Sequence, residues 1–164
     1  MKTLLLVRHA KSSWNDSSLP DFERPLNDRG KHDAPEMAKR IKHKSIEIDL
    51  FVSSPAKRAR KTAELFMEEL NAPKKKLALI DELYEASVDK FYDAIESLKD
   101  KHDIVALFSH NPGITNFINS LSLTPVADMP TCGMYAISIH TKDWGDFKNS
   151  EKEFLFFDYP KNEE

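Results

Sequence analysis

Cysteine is nearly absent from this chain of 164 residues: Cys132 is the only one, so no disulfide can form within it. This usage is typical of a reducing compartment. Long apolar runs are missing as well. The first run, which Arg8 interrupts, is too short for the core of a signal peptide, and no later run approaches the roughly 20 apolar residues of a membrane span. We therefore expect a cytoplasmic protein with no membrane partner.

Glycine is also scarce, and the sites that depend on glycine-rich loops are not expected. The four glycines are too far apart to form the loops that bind dinucleotides or nucleotide phosphates: Gly30, Gly113, Gly133 and Gly145. The six histidines show neither HxH nor HExxH spacing, and with one cysteine they form no metal-binding pattern. A net charge of -3 provides no basic face for nucleic acid. We expect neither a metal site nor a nucleic-acid partner.

What the chain does contain is the pattern of an α/β protein. Its length and 40% hydrophobic content suit one domain, residues 1–164, with a tail expected to fray after about residue 158. Helical patterns separate several short apolar runs, which predicts a three-layer α/β/α sandwich with a mainly parallel central sheet. The last two strands lack a strong helix between them, so that edge is expected to be antiparallel. The candidate strands are residues 3–7, 49–53, 76–80, 104–109, 134–139 and 153–157.

Two prolines bear on the predicted helices. Asn27 or Asp28 can cap a helix that runs to about residue 42, and Pro35 should either kink this helix or mark a later start. Pro55 suits the first turn of the next helix, which also carries Arg58 in its first turn. Two further helices are expected, over residues 89–98 and beginning at residue 112.

Cationic and imidazole side chains follow three of the predicted strands at the point where each strand ends. Arg8 and His9 close the first strand, Arg58 lies shortly after the second, and His110 follows the fourth. These ends share the edge at which α/β sheets bind ligands, and the helix N-terminus before Arg58 adds a positive dipole end. The long loop of residues 11–27 holds aromatic residues and prolines, and we expect it to fold over this site.

A cluster of Arg8, His9, Arg58 and His110 needs a compensating anion, because like charges held together disfavour one another's charged forms. Phosphate is the natural candidate, since planar guanidinium groups bind its oxygens in pairs. A histidine in such a cluster can attack phosphorus as a nucleophile. The residues themselves therefore predict phosphoryl chemistry.

Several motifs, in chain order, carry a resemblance to a known family: RHA at residues 8–10, SSWN at 12–15, RPLNDRG at 24–30, SSP at 53–55 and SHNPG at 109–113. The chain resembles the histidine phosphatase superfamily, which includes phosphoglycerate mutases and acid phosphatases. Most members have glycine where this chain has Ala10. The short length and the motifs LYEA at residues 83–86 and FFDYP at 156–160 are most similar to the SixA-type phosphohistidine phosphatases.

The resemblance implies a phosphoglycerate mutase-like fold and a reaction without a metal or organic cofactor. It implies that His9 is phosphorylated transiently and that water then releases inorganic phosphate. Arg8, Arg58 and His110 would hold the phosphoryl oxygens and stabilise their charge in the transition state. Asn15 would donate an amide hydrogen bond to the same group. Neighbouring arginine charges would help to keep His9 unprotonated.

The proton donor to the leaving group is an open point. The resemblance favours Glu82, which follows the third strand, with Glu85 and Asp81 as alternatives. Phosphohistidine with a protonated ring releases a neutral imidazole, whose conjugate acid has a pKa of about 6.5, so it leaves more easily than an alkoxide. A strong acid is then dispensable, which suits a P–N substrate better than a sugar phosphate.

The predicted function is therefore hydrolysis of a phosphoryl group through His9, with phosphohistidine in another protein as the substrate. A short chain leaves little room for the cap insertions that enclose small substrates, yet a small-molecule phosphatase or a mutase is the alternative. A phosphotransfer module with phosphate on His9, or a phosphate-binding relative without turnover, are further alternatives. The oligomeric state is open, and Cys132 is expected to be a buried packing residue.

Overall fold

The computed structural model describes residues 1–162, which form a central sheet of six strands. In chain order the strands are β1 (Lys2–Arg8), β2 (Leu50–Ser53), β3 (Leu77–Leu79), β4 (Ile104–Ser109), β5 (Met134–Ile139) and β6 (Lys152–Asp158). Their spatial order is β3-β2-β4-β1-β5-β6. The first four strands in this order are mutually parallel, whereas β5 is antiparallel to both β1 and β6. The predicted parallel sheet with an antiparallel edge is confirmed.

Helices cover both faces of the sheet. The α-helices are α1 (Asp28–His43), α2 (Lys57–Glu69), α3 (Val88–Glu96) and α4 (Gly113–Ser120), and short 3-10 helices lie at Asp21–Glu23, Lys74–Lys76, Asp81–Leu83 and Trp144–Asn149. Alternate residues of β1 serve two separate cores, because successive strand side chains point to opposite faces. Leu4 and Leu6 pack with α3 and α4, whereas Leu5 and Val7 pack with α1 and α2. The three-layer sandwich is therefore confirmed.

The strand register explains why distant parts of the chain meet. Strands β2, β4 and β1 are adjacent and parallel, so their carboxyl ends reach the same edge of the sheet. Arg8 at the end of β1 pairs with Ser109 at the end of β4, and Ser53 at the end of β2 pairs with Phe108. The residues that follow these three strands thus start from neighbouring positions.

Helix α1 continues through Pro35, so the expectation of a later start at this proline is wrong. The Asn27 side chain caps the helix by accepting from the Gly30 N–H at 2.9 Å. A proline inside a helix costs about 3 kcal/mol, whereas burying one large apolar side chain returns about 1.5–3 kcal/mol. The buried face of α1 carries more than one such side chain, including Met37 and Ile41, and outweighs that cost.

Helix α2 begins at Lys57, so Pro55 precedes the helix and the prediction that it lies in the first turn is wrong. Ala56, the residue before the helix, has an extended ψ of 139°, and its N–H donates to the Ser54 hydroxyl at 3.2 Å. The chain therefore becomes helical only after this turn. Arg58 is the second residue of α2 and lies in its first turn, as predicted.

Arg40 on α1 binds the segment that follows β6. Its guanidinium donates to the Asp158 carboxylate at 3.0 Å and to the backbone carbonyls of Tyr159, Pro160 and Asn162. These contacts bind the chain as far as residue 162, and residues 163 and 164, the end of the tail that was expected to fray, lie outside the described residues. Within residues 1–162, no helix has the length and apolar character needed to cross a membrane.

Candidate active site

The turn after β1 fixes Arg8 and His9 through their backbones. The His9 N–H donates to the Ser109 carbonyl at 3.1 Å, which joins the ends of β1 and β4. The Cys132 N–H donates to the carbonyls of both Arg8 and His9, at 3.1 and 3.0 Å. Cys132 adopts a positive φ of 60° in this position. Hydrogen bonds from two neighbouring segments therefore set the direction in which both side chains leave the chain.

The His9 ring is neutral and has one nitrogen available for reaction. Its Nδ1 lies 2.7 Å from the Ala10 carbonyl oxygen, and a carbonyl can only accept, so the ring proton is on Nδ1. Burial, with smaller contributions from His110, Arg58 and Arg8, lowers the pKa of His9 to about 3. The side chain is only 6% exposed. Nε2 therefore keeps its lone pair at neutral pH.

His110 is the second imidazole of the site, with its ring centroid 5.2 Å from that of His9 and the planes inclined by 50°. Its Nε2 is 2.7 Å from the Ser54 hydroxyl, which already accepts from the Ala56 N–H. Nε2 is the acceptor that residues 1–162 offer to the Ser54 hydroxyl hydrogen, so Ser54 donates to Nε2. The neutral ring then carries its proton on Nδ1, which has no partner among the same residues. Burial and then Arg58 lower the pKa of His110 to about 3.

Arg8 and Arg58 bring the positive charge to this pair. Arg8 Nη1 donates to the Met129 carbonyl at 2.8 Å, and Arg58 Nη1 donates to the Asp21 carbonyl at 2.7 Å. The buried Nε atoms of both arginines have no partner within the described residues. Burial lowers the pKa of Arg8, and the neighbouring Arg58 lowers it further against the opposing effect of Asp128. Such buried N–H donors, which no protein group accepts from, can bind an anion.

Thr62 connects helix α2, which carries Arg58, to the turn after β1, which carries His9. Its hydroxyl donates to the Arg58 carbonyl at 2.7 Å and accepts from the Ala10 N–H at 3.0 Å. The side chain is fully buried. The position of Arg58 in the first turn after the SSP motif drew attention to it, but the sequence interpretation gave Thr62, one turn later, no role in positioning Arg58 relative to His9.

Asp21 and Tyr84 are part of the site, although the sequence interpretation gave them no role. Arg58 Nη2 and the Tyr84 hydroxyl both donate to Asp21 Oδ2, at 3.0 and 2.6 Å. Partial burial raises the pKa of Asp21, but the hydrogen bonds from Tyr84 and Arg58 lower it overall. Burial and the bond to Asp21 raise the pKa of Tyr84 to about 12. The Tyr84 ring also packs edge-on against His110, with centroids 5.5 Å apart.

The loop of residues 11–27 reaches this edge of the sheet. Ser12 forms a bridge with Leu26, and the buried Arg24 donates to the Ser12 hydroxyl and, at 3.2 Å, to Asp21 Oδ1. The Arg24 guanidinium also stacks on the Trp14 ring at 3.4 Å. One part of the loop thus touches the site through Asp21, while Trp14 remains 73% exposed.

Among residues 1–162, neither Asn15 nor Glu82 forms a hydrogen bond or ion pair with the groups of the site. Asn15 is exposed, and among the described residues its one hydrogen bond runs from its backbone N–H to the Ser13 hydroxyl at 3.1 Å. Glu82 and Asp81 are exposed on the 3-10 helix Asp81–Leu83. The third carboxylate considered from the sequence, Glu85, lies closer to the chemistry because it lines a cavity that also contains His110.

This cavity is bordered by His110, the second ring of the histidine pair, and has a volume of about 450 Å³. Its lining includes Asp21, Arg58, Tyr84, Glu85, His110 and Asn116. One wall therefore consists of groups that can bind a phosphoryl oxygen, and the remainder offers carboxylate, hydroxyl and amide groups. Across residues 1–162, His, Cys, Asp and Glu side chains form no group of three or more placed to hold a metal ion.

Comparison with known proteins assigns the family. The family model described as histidine phosphatase superfamily (branch 1) matches residues 4–92, more than half of the chain. The chain therefore belongs to the histidine phosphatase superfamily. Similar curated proteins include an uncharacterized chloroplastic protein of Arabidopsis thaliana, 43% identical over 61 residues, and a 2,3-bisphosphoglycerate-dependent phosphoglycerate mutase of Bartonella bacilliformis, 33% identical over 78 residues. These alignments cover 37% and 44% of this chain, and the chain spans only 28% and 36% of those relatives.

Solved structures show the same fold over nearly the whole chain. A proposed phosphohistidine phosphatase SixA from Agrobacterium tumefaciens superposes with a TM-score of 0.79 at 23% identity, covering 97% of this chain and 98% of that one. A protein histidine phosphatase SixA complexed with tungstate gives a TM-score of 0.80 at 23% identity, with coverage of 96% and 97%. The resemblance to the SixA-type fold is thus confirmed.

Proposed function

We propose that this protein is a phosphatase in which His9 attacks phosphorus and carries the phosphoryl group transiently. One observation supports this proposal most strongly. The neutral His9 ring donates from Nδ1 to the Ala10 carbonyl, which leaves the Nε2 lone pair available beside His110 and two buried arginines. A neutral, oriented imidazole next to anion-binding donors is the arrangement that nucleophilic phosphoryl transfer needs.

In the first step, Nε2 of His9 forms a bond to phosphorus while the bond from phosphorus to the leaving group breaks. The leaving group keeps the electron pair of that bond, so a phosphohistidine with a protonated ring departs as a neutral imidazole. Charge accumulates on the three non-bridging oxygens of the phosphoryl group. Arg8 and Arg58 supply positive charge, and the His110 Nδ1–H donates a hydrogen bond to these oxygens. Such fixed donors stabilise the transition state because they need no reorganisation when the charge develops.

In the second step, water attacks phosphorus and the N–P bond to His9 breaks. The electron pair of that bond returns to Nε2, inorganic phosphate leaves, and the proton released by the water passes to phosphate or solvent. The Nδ1–H bond to the Ala10 carbonyl is kept throughout, so the ring starts and ends in the same tautomer. His9 is therefore regenerated in its unphosphorylated form at the end of each cycle.

Phosphohistidine in another protein is the substrate that we favour. Proteins named as phosphohistidine phosphatases share this fold over nearly the full chain. Asp21, Glu85 and Asn116, at the rim of the site, are exposed, which leaves access for a side chain presented by a partner protein. The imidazole leaving group also requires little help from an acid. Of the three carboxylates considered as that acid, Glu85 lines the cavity, whereas Glu82 and Asp81 do not.

A phosphatase or mutase for small phosphate esters is the second candidate. Its support is the similarity of part of the chain to a phosphoglycerate mutase, 33% identical over 78 residues. Both candidates use the same first step, and they differ in the leaving group and in the acceptor of the phosphoryl group. A comparison of substrates therefore separates them.

The test is phosphate release from a phosphohistidine-containing protein and from p-nitrophenyl phosphate, with the wild type and His9→Ala. We expect His9→Ala to lower kcat about a thousandfold or more with both substrates. The exposed His32 provides a control, and His32→Ala should leave both rates unchanged. Activity retained in His9→Ala would contradict the proposed nucleophile, and phosphate held stably on His9 would instead indicate a phosphotransfer module. A higher kcat/KM for small esters would favour the second candidate.

A further inference from the structure

Glu85 brings a negative charge to the cavity beside the phosphate-binding groups. Two carboxylates line this cavity, and they differ in their surroundings. Asp21 already accepts from Arg58 and Tyr84, at 3.0 and 2.6 Å, so its charge is compensated. Glu85, in contrast, takes part in no ion pair among residues 1–162.

The backbone holds Glu85 in this position. Its φ of 53° lies in the left-handed region, which is unfavourable for a glutamate and persists only where the surroundings impose it. On one side the Tyr84 ring packs edge-on against His110. On the other side the Ala86 carbonyl lies so close to Gly113 that a side chain at Gly113 would collide with it. The turn is therefore fixed against the start of α4.

The cavity also contains a group that points to a ligand independently of the carboxylates. His110, which is 6% exposed, keeps a buried Nδ1 without a partner among the described residues. Under the proposed function, this nitrogen and the guanidinium groups of Arg8 and Arg58 are used by the phosphoryl oxygens. Arg24, a further arginine near His110, is already bonded to Ser12 and Asp21. Among the residues that line the cavity, a second anionic group on the same substrate would therefore face Glu85.

We infer that Glu85 is a specificity-determining residue: it selects leaving groups that are neutral or cationic, such as the imidazole of phosphohistidine, and rejects those that carry a carboxylate or second phosphate. This inference rests on the proposed function and names its substrate class. It predicts discrimination against phosphoglycerates, which bear a carboxylate close to the phosphate. A single charge acting through a partly solvated cavity should change binding of a second anion by about three- to tenfold.

The test compares two small probes that share an alkyl phosphate but differ in one carboxylate: 3-phosphoglycerate and glycerol 3-phosphate. Their dissociation constants are measured by calorimetry in the His9→Ala background, where neither probe is turned over. We expect Glu85→Gln to tighten binding of 3-phosphoglycerate about three- to tenfold and to change binding of glycerol 3-phosphate less than about twofold. Glu68→Gln, which removes an exposed carboxylate from α2, should change neither.

Glu85→Asn serves as a second variant, because asparagine tolerates a positive φ better than glutamine and removes the same charge. Circular dichroism establishes that each variant is folded. Equal effects on the two probes, or no binding of either probe to any variant, would overturn the inference. The proposed function fails by a different result, namely no phosphate release from the phosphohistidine protein by the wild type, so the two failures are distinguishable.

Discussion

The imidazole rings of His9 and His110 lie with their centroids 5.2 Å apart and their planes inclined by 50°, and both are held neutral. The resemblance led us to expect that arginine charges keep His9 unprotonated. Burial is the larger cause, and the charges of Arg58 and Arg8 add to it. The positive charge of the site therefore resides on the arginines, while the histidines supply one attacking nitrogen and one N–H donor.

This pair should make the protein less stable as the pH falls. Burial lowers the pKa of both rings to about 3 in the folded protein, against about 6.5 in an unfolded chain. Above pH 6.5 the two histidines are neutral in both the folded and the unfolded protein. Between pH 6.5 and pH 3 the unfolded chain binds protons at these histidines that the folded protein does not bind. The free energy of unfolding therefore decreases as the pH falls toward 3. Urea unfolding between pH 7 and pH 4 measures this slope.

The double variant His9→Gln/His110→Gln isolates the two rings in this experiment. We expect it to lose most of the slope, because its side chains do not titrate in this range. His32→Gln, at an exposed position, should keep the slope of the wild type. If the double variant and the wild type show the same slope, the pH dependence comes from other groups.

Thr62 should affect both stability and catalysis. Thr62→Val keeps the shape of the side chain but removes the hydroxyl that joins Ala10 to Arg58. The Ala10 N–H then loses its partner in a buried setting, which costs about 1–3 kcal/mol. We expect a lower free energy of unfolding and, because Arg58 is no longer tied to the His9 strand, a lower kcat/KM for p-nitrophenyl phosphate.

Thr141→Val is the matched control, since within residues 1–162 the Thr141 hydroxyl bonds only to the backbone of the neighbouring Asp143. Chemical denaturation and steady-state kinetics on both variants give the comparison. A Thr62→Val protein with the stability and the kcat/KM of the control would show that the link between the two elements is unimportant.

The fold followed from sequence patterns because most of its determinants are local. Each of the six apolar runs became a strand, since breakers or polar residues bounded the run on both sides. Carboxyl ends of parallel strands share an edge, so the sequence could place His9 and His110 at the same edge of the sheet. The adjacency of β1 and β4, which the sequence patterns did not predict, brings the two rings together. The starts of helices near prolines were harder to predict. The Ala56 N–H bonds to the Ser54 side chain, and α2 therefore begins only at Lys57.

The parts of the site that were missed depend on contacts between distant segments. Asp21 reaches Arg58 from the middle of a long loop, and no periodicity or spacing indicates which of its residues will turn inward. Conversely, motif position favoured Glu82 over Glu85. In the structure Glu82 lies on the 3-10 helix Asp81–Leu83, and it is Glu85, after the turn at Tyr84, that lines the cavity. Motif position alone does not distinguish these two carboxylates, because the positive φ of Glu85 and the contact of Tyr84 with His110 set the course of the turn.

Cys132 should be unreactive in the native protein. Burial, and to a smaller extent Asp33, raises the pKa of its thiol, and the side chain has no exposed surface. Thiolate is the reactive form, so both effects protect it. We expect no labelling by a thiol reagent of the Ellman type under native conditions and one thiol per chain in guanidinium chloride. Because the chain has a single cysteine, the measurement is unambiguous. Full labelling of the native protein would show that the segment before β5, which contains Cys132, opens to solvent.

Gly30 should be intolerant of even one methyl group, although it lies inside α1, where alanine is normally preferred by about 1 kcal/mol. A Cβ at Gly30 would collide with the Lys11 carbonyl oxygen and lie 3.0 Å from the Lys11 nitrogen. Both atoms belong to the backbone and cannot rotate away. We expect Gly30→Ala to lower the free energy of unfolding by about 1–3 kcal/mol, the range for overpacked positions.

The effect of Gly30→Ala should extend to catalysis, because Lys11 is only two residues from His9 and would have to shift. Gly145→Ala is the matched control: a Cβ there meets no atom within 4 Å, and its φ is not positive. It should leave kcat unchanged and, by restricting the unfolded chain, leave stability equal or about 0.4–1 kcal/mol higher. Thermal unfolding and p-nitrophenyl phosphate turnover of both variants provide the comparison. If Gly30→Ala melts at the temperature of Gly145→Ala and turns over substrate as fast, the close packing of α1 on the loop after His9 does not help to position the nucleophile.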